Sequence, residues 1–239
     1  MGMLDLYGIK EVADVVFWDT ETGNPVLYLD TLKVSTIEET ADQTEARGGK
    51  GNPPLIIWDY GKEITLTLED ALFSMKSLNI MHNSKSTVDA TISEIERGGK
   101  FTTASDATGT SAIPSAIASL AGVVYFDETG TSVAAANIAA NTTYLYSYKQ
   151  AISVGAAETI SVTSEDFPGT YRITGDTYAR SQKTGKDEFF QFEVPLAKVN
   201  PEQTITMQAD GDPSTFSMTV RVMRPDDGVM MRLTKYPMA

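Results

Sequence analysis

The sequence predicts a mainly β protein: an antiparallel sandwich or barrel with one short helix and a β/loop insertion. Three observations predict it. Apolar and polar residues alternate with period two in several segments separated by turn residues. Only one segment carries an apolar repeat at three- and four-residue steps. No long helical pattern separates the strand segments, which points to antiparallel pairing.

The first element is a hairpin. Val12 to Trp18 and Pro25 to Leu32 flank Asp19-Thr20-Glu21-Thr22-Gly23-Asn24, a turn-rich connection. Ser35 to Thr40 continues extended into a polar arm, Thr36 to Pro54. The distal part, Glu45-Ala46-Arg47-Gly48-Gly49-Lys50-Gly51-Asn52-Pro53-Pro54, carries both charge signs and no apolar periodicity. It predicts a loop that forms no core of its own. A polar arm tethered to a rigid strand pair is more useful between subunits than within one. Glu39, Asp42, Glu45, Arg47, Gly48, Gly49, Lys50 and Asn52 are therefore expected to contact another subunit.

The arm runs into Leu55-Ile56-Ile57-Trp58-Asp59, Tyr60-Gly61 and the strand Lys62 to Leu68. There Ile64, Leu66 and Leu68 alternate with Glu63, Thr65 and Thr67, giving one buried and one wet face. Thr67-Leu68-Glu69-Asp70 has the spacing of a capping box. Ala71, Leu72, Met75, Leu78 and Met81 follow as one stripe, predicting a helix that ends between Asn79 and Asn83 and closes one end of the β layer.

Thr87 to Ile95 alternates again. Thr102 to Gly122 is rich in Ser, Thr and Ala and reads as a long loop with a helical turn near Ser115 to Ala121. Val123 to Gln150 reads as a small β insertion with a hairpin at Asp127-Glu128-Thr129-Gly130. The expected organisation is one β domain from 1–101 and 151–239, with 102–150 inserted and facing outward. Val123-Val124-Tyr125-Phe126-Asp127 echoes Val15-Val16-Phe17-Trp18-Asp19, and Arg97-Gly98-Gly99-Lys100 repeats Arg47 to Lys50. Two short echoes suggest one hairpin type used twice, not a duplicated domain.

The C-terminal third is β throughout. Tyr171 to Gln182 and Glu188 to Val199 flank a Lys-Thr-Gly-Lys-Asp turn, and Phe190, Phe192 and Val194 alternate with Gln191 and Glu193. Thr204 to Gln208 turns through Asp210-Gly211-Asp212-Pro213. Phe216, Met218, Val220 and Val222 alternate with polar residues, and Asp226-Asp227-Gly228 predicts a tight hairpin into Val229 to Tyr236.

Composition narrows the function classes. A 239-residue chain can bury a full core without disulfides, and this one has no cysteine to make them or a thiolate metal site. The formal charge of −13 argues against stable nucleic-acid binding, because duplex affinity comes from neutralising phosphates. The N-terminus lacks a signal-peptide pattern and a myristoylation signal, and no window approaches the roughly 20 apolar residues of a membrane span, so no membrane anchor is expected.

Motifs for chemistry are weak. His82 is the only histidine, and its place at a helix end reads as capping or solvated. Asp210-Gly211-Asp212 lacks the further oxygen ligands of a calcium loop. Gly48-Gly49-Lys50-Gly51 lacks the spacing of a phosphate loop. Glu38-Glu39 and Glu94 to Glu96 read as solvated surface rather than a hydrolase pair, on the ground that neighbouring strand residues point to opposite faces. Trp18, Trp58, Tyr60 and Tyr125 could line a groove, but the tryptophans lie in apolar strands, where core packing is the default. No enzyme, cofactor or metal is expected.

The run ARGGKGNPPLIIWDYGKEITLTLEDALFSMKSL, Ala46 to Leu78, resembles the tail tube (major tail) proteins of long-tailed bacteriophages, especially contractile-tailed ones. The upstream VVFWDTETGNPVLYLDTLKVSTIEET fits the same family. The resemblance is strongest over 12–81 and does not extend to 102–150. It implies a virion protein made in the host bacterial cytoplasm. Copies would form homohexameric rings stacked into a tube, with tail sheath, tape measure and baseplate or terminator proteins as partners and DNA only passing through. Glu63, Thr65, Thr67, Gln191 and Glu193 are then candidates for the lumen wall, expected to be acidic or neutral. Two rival readings remain: a monomeric, virion-attached β module that binds carbohydrate or a cell surface, and the tube protein of a related contractile injection or secretion machine.

Overall fold

The computed structural model describes residues 6–82, 89–202 and 215–238. The chain divides into two compact units: Met1–Thr87 with Ile160–Ala239, and Val88–Thr159. Thirteen strands are described: β1 (Tyr7–Ile9), β2 (Asp14–Asp19), β3 (Pro25–Leu29), β4 (Leu32–Arg47), β5 (Pro54–Asp70), β6 (Glu94–Thr102), β7 (Val124–Phe126), β8 (Ser132–Val133), β9 (Thr143–Ala151), β10 (Thr170–Ser181), β11 (Asp187–Val199), β12 (Phe216–Val222) and β13 (Arg232–Pro237). The helices are α1 (Met75–His82) and α2 (Ser115–Ala118). The mainly β, antiparallel, sandwich-like class is the one the sequence predicts.

In the first unit nine strands form one antiparallel sheet, ordered β3-β2-β10-β11-β12-β5-β4, with β1 added on β10 and β13 on β11. Period-two alternation gives this sheet one apolar face. Val15 and Phe17 of β2, Ile173 of β10, Val194 of β11, Val220 of β12 and Leu66 of β5 are each fully buried in one core. The same core takes in Leu27 and Leu29 from the opposite end of the sheet. The sheet therefore rolls on itself. One bond ties the start of β2 to the edge strand β4, the Ala13 N–H donating to Ser35 Oγ at 3.3 Å, while the Thr31 hydroxyl donates to Asp70 beside the Leu32–Asp70 pair at the ribbon root. Burying each large aliphatic side chain contributes about 1.5–3 kcal/mol, so this face holds the unit together.

The helix starts later than the sequence predicts. Thr67 and Glu69 remain in β5, which runs on to Asp70 because β12 and β4 pair with it there. Ser74 is the N-cap. Its Oγ accepts the Ser77 N–H at 3.0 Å, and Ser77 Oγ accepts the Ser74 N–H at 2.9 Å, a capping box with serine in the return position. Ile80, Met81 and Ser77 are buried, whereas Leu72, expected in the apolar stripe, is exposed.

The last strand also departs from expectation. β13 does not pair back on β12. It pairs with β11 over Glu188 to Glu193, while β12 takes β11 at Ala197 to Val199. β12 and β13 thus divide one edge of β11 between them, and the Asp226-Asp227-Gly228 turn connects them without a ladder.

The second unit has a four-stranded sheet, β6-β9-β7-β8. The expected insertion, 102–150, lies inside it. The unit also takes in β6, which pairs with β9 along its whole length. The segment read as a loop is not structureless: Ala112, Ile113 and Ile117 are buried with Phe101, Tyr125, Ile138 and Tyr144 in a separate small core. A 3₁₀ turn at Gly109–Ala112 and the helical turn α2 bring them there. The alternation expected over 87–95 yields only an isolated Asp89–Thr159 bridge before β6 begins, and Thr87 and Val88 lie outside the described residues. The echo between Asp19 and Asp127 is physical. Asp19 Oδ1 accepts the N–H groups of Glu21 and Thr22, and Asp127 Oδ1 accepts those of Thr129 and Thr131.

Candidate functional site

The arm is not a loop but the distal half of a long β ribbon. β4 and β5 pair from Leu32–Asp70 at the root to Arg47–Pro54 at the tip. Polar β4 gives no apolar period because its distal half has no core to face. The turn Gly48 to Pro53 closes with the Gly48 N–H donating to the Pro53 carbonyl, and Gly49, Gly51 and Asn52 take positive φ there.

A bulge divides root from tip. Between Thr40–Glu63 and Asp42–Tyr60 the register shifts, so Gly61 and Lys62 face Ala41 alone. Gly61 sits at φ +62°, and a Cβ there would stand 3.1 Å from Asp42 Oδ2. A glycine in this bulge position bends and twists the ribbon. On the root side, Ile64, Leu66 and Leu68 are buried. On the tip side, Leu55, Ile56, Ile57, Trp58 and Tyr60 are 51–65% exposed.

This exposed apolar row is the feature that residue types alone concealed. Trp58, expected in the core, is in water, and so is Tyr60. The signal was present as five apolar residues without alternation, bounded by Pro54 and Gly61. By cross-strand register Ile56, Trp58 and Tyr60 share one face with Ala46, Thr44 and Asp42, and Leu55 and Ile57 lie on the other. A two-stranded ribbon is marginally stable alone, and an exposed apolar patch of this kind marks an interaction site.

The residues expected to make intersubunit contacts lie along this ribbon. Glu39 pairs with Lys62 at 2.6 Å, at the bulge. Asp42 lies beside Gly61. Glu45 pairs with Arg47 at 2.5 Å. Gly48, Gly49, Lys50 and Asn52 form the turn. These are surface pairs, worth about 0–1 kcal/mol each, so they solubilise the ribbon more than they hold it.

The five lumen candidates, Glu63, Thr65, Thr67, Gln191 and Glu193, alternate with core residues and so share the face of the sheet turned away from the core. They are not free acids. Glu63 binds Arg221 at 2.6 Å, and Glu193 binds Arg172 at 3.2 Å and Arg232 at 3.4 Å. Gln191 donates to Asp176. Arg180 on the same face forks onto Asp187 at 2.6 and 2.7 Å, which raises the guanidinium pKa and lowers that of the carboxyl. Arg232 shares Glu193 with Arg172 and also holds Asp227 at 2.9 Å, so all four of these arginines are paired. Lys198 of β11 stands on it without an ion pair among the described residues.

The family model described as the YomU/Tube protein family matches residues 7–234. The chain belongs to this family. It is a phage tube-like protein of a structural family. No curated protein matches the chain.

The other sequence candidates are placed as follows. Trp18 is half-buried on the outer face, its Nε1 donating to Thr174 Oγ1 at 2.9 Å and the Arg172 guanidinium 4.9 Å above its ring, so it is not a core residue. Tyr125 is in the core of the second unit. Glu94 and Glu96 lie two residues apart on one strand and so share a face, contrary to the sequence argument. They still hold different partners, Lys149 and Ser147. His82 is the last residue of α1. Asp210-Gly211-Asp212 and Thr204 to Gln208 lie outside the described residues. Among the described residues no group of three His, Cys, Asp or Glu could hold a metal, and no helix is long and apolar enough to cross a membrane.

Proposed function

We propose that the protein is a structural virion component that self-assembles into homohexameric rings stacked into a tail tube, the conduit for DNA delivery. The observation that carries the reading is the exposed apolar row of the β4–β5 tip. A monomer has no use for five large apolar side chains in water, whereas a subunit that laces into its neighbour buries them. Heterologous contacts that close by rotation give a ring, and a second contact along the axis gives a tube. The open edges of the sheet support the same reading, because a closed ring leaves no edge free in its plane.

The tip residues Glu39 to Asn52 are the contact arm. The outer face, with Thr65, Thr67, Gln191 and Glu193 and with Glu63 at its margin beside the ribbon root, is the wall DNA passes, because paired arginines offer phosphates little to hold. The tube-forming part is the rolled sheet. The second unit, with its own small core, is an addition to it. The tail is of the contractile type, with sheath, tape measure and baseplate or terminator proteins as partners, and the protein resides in the virion tail.

Negative-stain microscopy of the purified protein tests the reading. Stacked rings of uniform width are expected. A protein that remains monomeric at every concentration, and binds a glycan instead, would overturn it.

A further inference from the structure

The rolled sheet has a groove of about 730 Å³ at the root of the β4–β5 ribbon. We infer that this groove receives the Ile56–Trp58–Tyr60 face of the ribbon of a second copy. The inference rests on the tube reading above and names the receptor for its arm.

Charge supports the pairing. In a chain of net −13, the groove gathers Lys62, Lys198, Arg221 and Arg224. Among the described residues that line it, the one carboxylate is Glu63, already bound to Arg221, and Lys62 is bound to Glu39. Lys198 and Arg224 have no ion pair among the described residues and remain to be met. Met223 and Met230 add a half-buried, adaptable apolar lining. The ribbon face matches in kind: three exposed apolar side chains with Asp42, which has no ion pair among the described residues, at their inner end.

Geometry selects the occupant. The groove begins at Lys62, and Trp58 and Ile56 lie further along the same strand. At about 3.3 Å per residue they stand roughly 13–20 Å from the groove, held straight by pairing with β4. Folding back would break the Asp42–Tyr60 and Thr44–Trp58 pairs. A ribbon cannot fill its own groove. The partner is another copy, and the contact is heterologous, so it propagates.

Charge reversal tests this. The double variant K198E/R224E, checked for folding by far-UV circular dichroism, should need about tenfold more protein to assemble, equivalent to losing one ~1.4 kcal/mol contact. Asp42→Lys, on the exposed arm, tests the same contact without touching the groove and should lose assembly likewise. Combining all three in one chain should restore it to within about threefold, since a lysine then meets two glutamates. If the wild type and all variants form tubes at the same concentration, or the triple variant assembles no better than the singly altered sites, the groove is not the receptor and the tube reading stands. If the wild type itself never assembles, both fall.

Discussion

The two halves of one hairpin have opposite fates. From Ile64 to Leu68, β5 alternates and buries every second side chain in the core of its own sheet. From Leu55 to Tyr60, the same strand is apolar at nearly every position and exposed on both faces. β4 pairs with β5 throughout, but only the root, Thr65 to Asp70, also has β12 on its other edge. The packing differs as well. The root packs against the rolled sheet, and the tip has nothing of its own chain to pack against. The comparison teaches that alternation reports a core within the chain, while a run apolar at nearly every position in a two-stranded ribbon has no core in its own chain and, on the proposed reading, is buried by another copy.

The largest effect should separate stability from assembly. Leu66→Ala empties a fully buried site and should cost about 2–5 kcal/mol in denaturant unfolding. Trp58→Ala removes a larger side chain yet should leave subunit stability within about 0.5 kcal/mol, because that side chain is exposed, while assembly is lost. Equal destabilisation by the two would erase the distinction between root and tip.

The same contrast explains what the sequence made legible. Alternation marked the buried residues of β5, β11 and β12 because each of those strands faces the core on one side and water on the other. The hairpin at Asp19 was legible from its turn chemistry. The continuity of β4 was not: Glu38 to Arg47 carries no periodicity, since its ladder depends only on backbone pairing with β5. The arm is legible as a location, but Trp58 reads as a core residue because local hydrophobicity does not say whose core. The helix start moved to Ser74 because β12 holds Thr67 to Asp70 in the sheet, a long-range pairing that outweighs a local capping pattern. The place of β13 beside β11 rather than β12 is likewise a tertiary choice. The small core of the second unit draws on residues from Phe101 to Tyr144, spaced too irregularly to show a period.

A smaller effect should come from the hinge between the halves. Gly61→Ala places a Cβ at φ +62° against Asp42, and should cost about 1–3 kcal/mol of local strain. Because the tip has no core to anchor it, the strain should be relieved there: hydrogen exchange should speed up from Ala41 to Tyr60 and stay unchanged at Leu66. Uniform acceleration would mean that root and tip form one cooperative unit.

The smallest effect concerns the hairpin at the other end of the sheet, whose turn is held by a side chain instead of a neighbour. The Thr22 backbone N–H, and then its hydroxyl, hold the Asp19 carboxyl below the usual aspartate range. A lowered folded-state pKa means that the unfolded chain binds more protons in that window. The contribution is complete above the unfolded value of about 3.9 and is lost as pH falls through the folded one. Asp19→Ala should therefore lower the melting temperature slightly at neutral pH and flatten its fall below pH ~4. A variant with an unchanged acid limb would show that the turn draws nothing from this carboxylate.

The central claim is that the tip's apolar side chains leave water only when copies meet. The chain has two tryptophans, so Trp18→Phe leaves Trp58 as the single indole reporter. Its emission, followed across the concentration at which the protein assembles, should begin at the long wavelength of a hydrated indole and shift to the blue as assembly proceeds. An emission maximum that stays at the hydrated value in fully assembled material would contradict the account.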